Sequence, residues 1–99
     1  MTVRPARESV VWKFTLPPPT ITGRCFVDIP EDAQPLSVGM QNGNVVVWAL
    51  VDPHRPEEMR RFIVANTGAD IPGLPEAARF IGTLVADTGI VWHVWDGDA

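Results

Sequence analysis

The chain of 99 residues has one cysteine, one lysine and no tyrosine. A lone Cys25 cannot close an intrachain disulfide, so the sequence does not read as a stapled secreted scaffold, and a reducing compartment suits it. Cys25 also lacks a neighbouring Cys or His, and His54 and His93 have no third ligand at zinc-like spacing, so no metal and no cofactor are expected. Cations are scarce: eight Lys and Arg stand against twelve Asp and Glu, a formal charge of −4. Only Arg60 and Arg61 are adjacent. The summed field repels polyanions, which argues against a nucleic-acid surface. No run approaches the roughly 18 apolar residues of a membrane span, and residues 1–8 contain no apolar signal core, so neither insertion nor export is expected.

What is abundant is tryptophan within β-branched runs. All four Trp lie in three segments, 10–14, 45–51 and 90–95, where Val and Ile accompany them and Pro, Gly, Asn or Asp close the ends. Such side chains lose little freedom on a pleated surface, so these segments read as strands. In the first, Val10, Trp12, Phe14 and Leu16 alternate with Val11, Lys13 and Thr15, and Pro17-Pro18-Pro19 ends the ladder because proline has no N–H to donate. Residues 24–29 and 59–65 alternate likewise. Asn42-Gly43 between two apolar runs predicts a type I′ hairpin, and Asp87-Thr88-Gly89 a second hairpin with a three-residue loop. The strand from Val45 to Val51 is apolar on both faces and is expected to lie centrally. Residues 66–78 form the one long irregular stretch, expected to be the most mobile, with a single helical turn beginning at Pro75.

The pattern predicts an all-β fold of about seven mostly antiparallel strands, in a small sandwich or partly open barrel. Residues 1–8 read as a flexible leader and 9–96 as one domain. Trp12 and Trp48, mid-strand among apolar neighbours, are expected in the core. Trp92 and Trp95 fall on opposite faces of one strand, so burying both needs a second layer or a second subunit. That surplus of aromatic area points to a homo-oligomer or a contact surface.

Catalytic constellations are sparse. Asp87-Thr88-Gly89 resembles the triplet of aspartic proteases, but only ten residues follow it and Ile90 stands where a small residue is expected, so a hairpin turn is the better reading. His54 sits in a Pro-rich turn and reads as solvated. Ser9 and Ser37 lie in no nucleophile-elbow motif. Asn66-Thr67-Gly68 lacks the glycines and lysine of a phosphate loop and reads as an ordinary turn. The candidate contact residues are Trp92, His93 and Trp95 on the last strand, with Arg60 and Arg61, one exposed and one laid along apolar surface.

Val11-Trp12-Lys13-Phe14, Trp48-Ala49-Leu50-Val51-Asp52-Pro53, Arg60-Arg61-Phe62, Thr67-Gly68 with Ile71-Pro72, Phe80-Ile81-Gly82-Thr83 and Val91-Trp92-His93-Val94 form an ordered series along the chain. In that order and spacing the sequence resembles a family of small proteins encoded by bacteriophages and prophages. The resemblance implies a phage origin and carries no catalytic residues across. Together with the aromatic surplus it leads to the expectation of a non-enzymatic phage accessory protein. Such a protein would bind a host or phage protein in the host cytoplasm, without nucleic acid or membrane. The alternative is a small-molecule binder, nucleotide-like in ligand, that uses Trp for stacking and Arg for phosphate.

Overall fold

The computed structural model describes residues 8–98, so most of the expected leader lies outside the described residues. Seven strands follow in order: β1 Val10–Thr15, β2 Arg24–Pro30, β3 Gln34–Gln41, β4 Asn44–Val51, β5 Glu57–Asn66, β6 Arg79–Val85 and β7 Val91–Asp96. They form two antiparallel sheets, one ordered β1-β4-β3 and one ordered β2-β5-β7-β6. The fold is therefore of the all-β class that the alternation predicts, two sheets that do not close into a barrel. No helix among the described residues is long and apolar enough to cross a membrane.

The turns form where local chemistry requires them. Asn42 and Gly43 adopt φ of 52° and 78°, the pair of positive angles that a type I′ turn needs, and they join β3 directly to β4. The Asp87-Thr88-Gly89 loop closes by Gly89 N–H to Ala86 O at 2.8 Å, with Gly89 at φ 87°. The triple proline carries the chain from β1 in the first sheet to β2 in the second. Residues 66–78 hold turns and no helix; Ala78 N–H reaches Pro75 O at 3.0 Å, a single reverse turn in place of the expected helical one. Arg24 ties this segment down by donating Nη2 to Pro72 O at 2.5 Å.

β4 occupies the centre of its sheet, as its two apolar faces require. Val47, Ala49 and Val51 point inward and meet Cys25, Ile29, Phe62, Val64, Leu84 and Val94 of the second sheet. Each such aliphatic or aromatic side chain contributes about 1.5–3 kcal/mol when fully removed from water. The other face of β4 is covered from its own sheet. Trp48 lies over Gly39, where an added Cβ would sit 2.9 Å from Cζ3 of the indole. Lys13 on β1 donates Nζ to Gln41 Oε1 on β3 at 2.7 Å. Register places Lys13 opposite Trp48 and Gln41 opposite Asn44, so this bridge passes diagonally over Val46, which is buried.

One expectation fails here. Trp12 shares the inward side of its strand with Phe14, yet it is 40% exposed, because β1 is an edge strand whose extensive packing is against β4. Trp48 is only half-buried, since it faces outward from the sheet. Mid-strand position among apolar neighbours describes the pleat correctly. It does not say whether another layer lies beyond it.

Candidate interaction face

The alternation of β7 separates the candidate residues. Val91, His93 and Trp95 project from the outer face of the four-stranded sheet, while Trp92, Val94 and Asp96 project inward. The register of β2, β5, β7 and β6 sets Arg24, Ile63, Trp95 and Phe80 in one row across the outer face. Phe80 meets Trp95 edge to face, with ring centroids 5.4 Å apart and planes at 64°. Phe80 is 51% exposed and Val85, two rows along, 64%. Phe26 and Met59 continue the exposed apolar surface toward β2.

His93 lies in the row beside Trp95, 6.4 Å between rings. Both imidazole nitrogens are engaged by hydroxyls: Nε2 with Thr67 Oγ1 at 2.8 Å and Nδ1 with Thr83 Oγ1 at 2.9 Å. Hydroxyls can donate or accept, so the ring is held in place whichever nitrogen carries the proton. A histidine so engaged is fixed in position beside Trp95 and joins β7 to Thr67 and Thr83.

The adjacent arginines part company as the pleat demands, and the sequence left open which of them is packed. Arg60 turns inward and is 8% exposed. Its Nε and Nη2 reach Asp96 Oδ1 and Oδ2 at 3.0 and 2.5 Å, and Nη1 reaches Ala33 O at 3.1 Å. Burial works to lower its pKa, but the hydrogen bond and attraction of Asp96 outweigh it and raise the value, so the guanidinium stays charged. Arg61 faces outward, part-buried. Its backbone N–H and O bond Asp98 Oδ2 and Gly97 N–H at 2.6 and 2.9 Å, and its Nη2 bonds Gly97 O at 2.9 Å.

Trp92 belongs to a different surface. It packs against the core and lines an apolar cleft of about 230 Å³ with Leu16, Pro18, Met40, Val45 and Val64. Cys25 lies buried at the same cleft, and desolvation pushes its thiol up to about 11, so the nucleophilic thiolate is suppressed. The structure thus brings together His93, Trp95 and Arg61 on one face and places Arg60 and Trp92 on the other.

Sequence reasoning missed two residues of this arrangement. Phe80 is absent from the contact residues that the sequence offers, because the register shift between Phe80 and Gly82 breaks simple alternation at Ile81. Asp96 was placed just past the last strand. The inward series Trp92, Val94, Asp96 was the available signal, and a carboxylate on that series requires a buried cation.

Two antiparallel sheets with an uncovered aromatic row define a small open-sandwich domain of the all-β class. Over residues 7–99 the chain matches a family model described as a domain of unknown function, DUF7352, and it belongs to that family. No curated protein and no solved structure matches it.

Proposed function

We propose that the chain is a non-enzymatic bacteriophage accessory protein that binds a host or phage protein in the host cytoplasm through the outer face of the four-stranded sheet. The observation that supports this most is the Trp95–Phe80 row, where a half-exposed phenyl ring stands against an indole. Aromatic residues of this kind are the usual anchors of protein interfaces, and the neighbouring Val85, Phe26 and Met59 extend the apolar area. The polar groups nearby are committed to the protein itself, His93 to two threonines and Arg61 to the Gly97-Asp98 segment. The phage origin rests on the sequence resemblance.

The test is capture from host lysate by the wild-type protein and by Trp95→Ala and Phe80→Ala variants, with identification of the bound protein. A partner retained by wild type and lost from both variants, each folded by circular dichroism, is the expected result. Capture unaffected by either substitution overturns the assignment of this face.

A second reading is favoured by the Trp92 cleft, which offers a concave apolar site for a small molecule. No arginine or lysine lines it, and Arg60 is held by Asp96, so an aromatic or apolar ligand suits the cleft better than a phosphate-bearing nucleotide. Thermal-shift screening separates the readings: a ligand of this site raises the melting temperature with concentration, and the Trp92→Ala variant does not respond.

A further inference from the structure

We infer that β1 is a self-complementary edge through which two copies of the chain join their three-stranded sheets into one. Among the described residues four strands end the two sheets, β1 and β3 in one, β2 and β6 in the other, and β3 lies against β6. β3 contains Pro35 and a register shift, β6 contains a register shift, and β2 ends in Pro30. These are the devices that discourage strand addition. β1, Val10-Val11-Trp12-Lys13-Phe14-Thr15, has neither proline nor shift. Its one charged side chain is folded back over its own sheet onto Gln41. Val11 is 55% exposed, and Val10 and Trp12 are also exposed, so apolar area collects at this edge. Glu8 Oε2 lies 3.0 Å from His54 Nε2, which places Glu8 beside the loop after β4.

The hydrogen-bond ladder fixes the register. Leu16 N–H donates to Val45 O at 2.9 Å, and Leu16 stands opposite Val45 in the continuation of the β1–β4 pairing. In an antiparallel pair, bonded positions alternate, so Phe14, Trp12 and Val10 bond to β4, while Val11, Lys13 and Thr15 direct their N–H and C=O to the free edge. A second β1 can meet these groups about a two-fold axis centred on Lys13, Phe14 or Trp12, or on Val11, which overlaps only residues 10–12 of the two strands. Centring on Lys13 sets the two lysine stems side by side at the axis, and neither ammonium can leave Gln41 without approaching the like charge of the other. Centring on Phe14 sets Val11 against Pro17, which has no N–H. Centring on Trp12 pairs Val11 with Lys13 of the second copy and Val10 with Phe14, and brings the two indoles together at a non-hydrogen-bonded position, where side chains approach most closely. This is an isologous contact that closes at two copies. It uses a surface separate from the Trp95–Phe80 row, so either can fail without the other.

The test is sedimentation velocity of the full chain over a concentration series, with three variants. Wild type is expected to double in mass as concentration rises. Val11→Pro removes an outward N–H without touching the β1–β4 ladder and is expected to hold the protein monomeric with unchanged circular dichroism. Trp12→Cys is expected to yield a disulfide-linked dimer on mild oxidation, since non-hydrogen-bonded partners lie within disulfide reach. Trp95→Ala is expected to leave the dimer intact. A monomer at every concentration overturns the inference, as does a dimer that folded Val11→Pro preserves. Should Val11→Pro not fold, Trp12→Cys decides: cross-linking supports the register, and a dimer that does not cross-link overturns it.

Discussion

Arg60 and Asp96 meet inside the sandwich as a bidentate pair, Nε to Oδ1 at 3.0 Å and Nη2 to Oδ2 at 2.5 Å, with Asp96 itself only 1% exposed. The carboxylate also accepts Asp98 N–H at 3.1 Å, and the guanidinium reaches the main chain at Ala33. The interior of β5, the end of β7 and the β2–β3 connection are thereby held at one point. Removing the anion alone leaves an uncompensated buried cation. Asp96→Leu is expected to cost about 3–5 kcal/mol in urea unfolding, whereas Arg60→Met combined with Asp96→Leu recovers most of that loss.

The thiol of Cys25 has a pH signature. Its pKa rises from 9.0 to about 11 on folding because burial disfavours the thiolate. Above pH 9 the unfolded chain loses its proton while the folded chain keeps it, so stability is complete below pH 9 and falls between 9 and 11, by roughly 2–3 kcal/mol. Denaturant midpoints across this interval check the slope, which a Cys25→Ala variant lacks. At neutral pH the folded thiol is expected to react with iodoacetamide far more slowly than the unfolded one.

Gly23 precedes β2 at φ +80°, and an added Cβ would lie 2.4 Å from the backbone oxygen of Val64. The same residue accepts Val64 N–H at 2.8 Å, so the clash cannot be relieved without breaking the ladder. Gly23→Ala is therefore expected to lower stability by ~2 kcal/mol or more, read as a fall in melting temperature.

The Trp95–Phe80 contact has a measurable strength of its own. A double-mutant cycle with Trp95→Ala and Phe80→Ala is expected to give a coupling energy of about 0.5–1.5 kcal/mol. Phe80 is half exposed, so its single substitution is expected to remain well below the cost of truncating a buried core aromatic.

The strands were legible because every one carries its own signal. Alternation in 10–16 and 24–29, Asn42-Gly43 and the Gly89 turn each depend on local sterics and hydrogen bonding, which neighbours in sequence determine. The split of Trp92 from Trp95 and of Arg60 from Arg61 was readable for the same reason, since the pleat has a period of two. What lies beyond each face was not. Trp12 and Trp48 have similar neighbours in sequence, yet one stands at a sheet edge and the other on an outer face partly covered by its own sheet, which only the pairing order of distant strands decides. Phe80 was hidden by a bulge that shifts its register. Asp96 needed a partner 36 positions away before its burial made sense.

Because Lys13 is the chain's sole lysine, amine chemistry at a side chain has a single address. An acyl group attached there would neutralise the ammonium, release Gln41 and let water reach Val46. A fluorophore introduced by the same route would report on the exterior of the three-stranded layer and leave the aromatic row on the opposite side of the molecule unmarked.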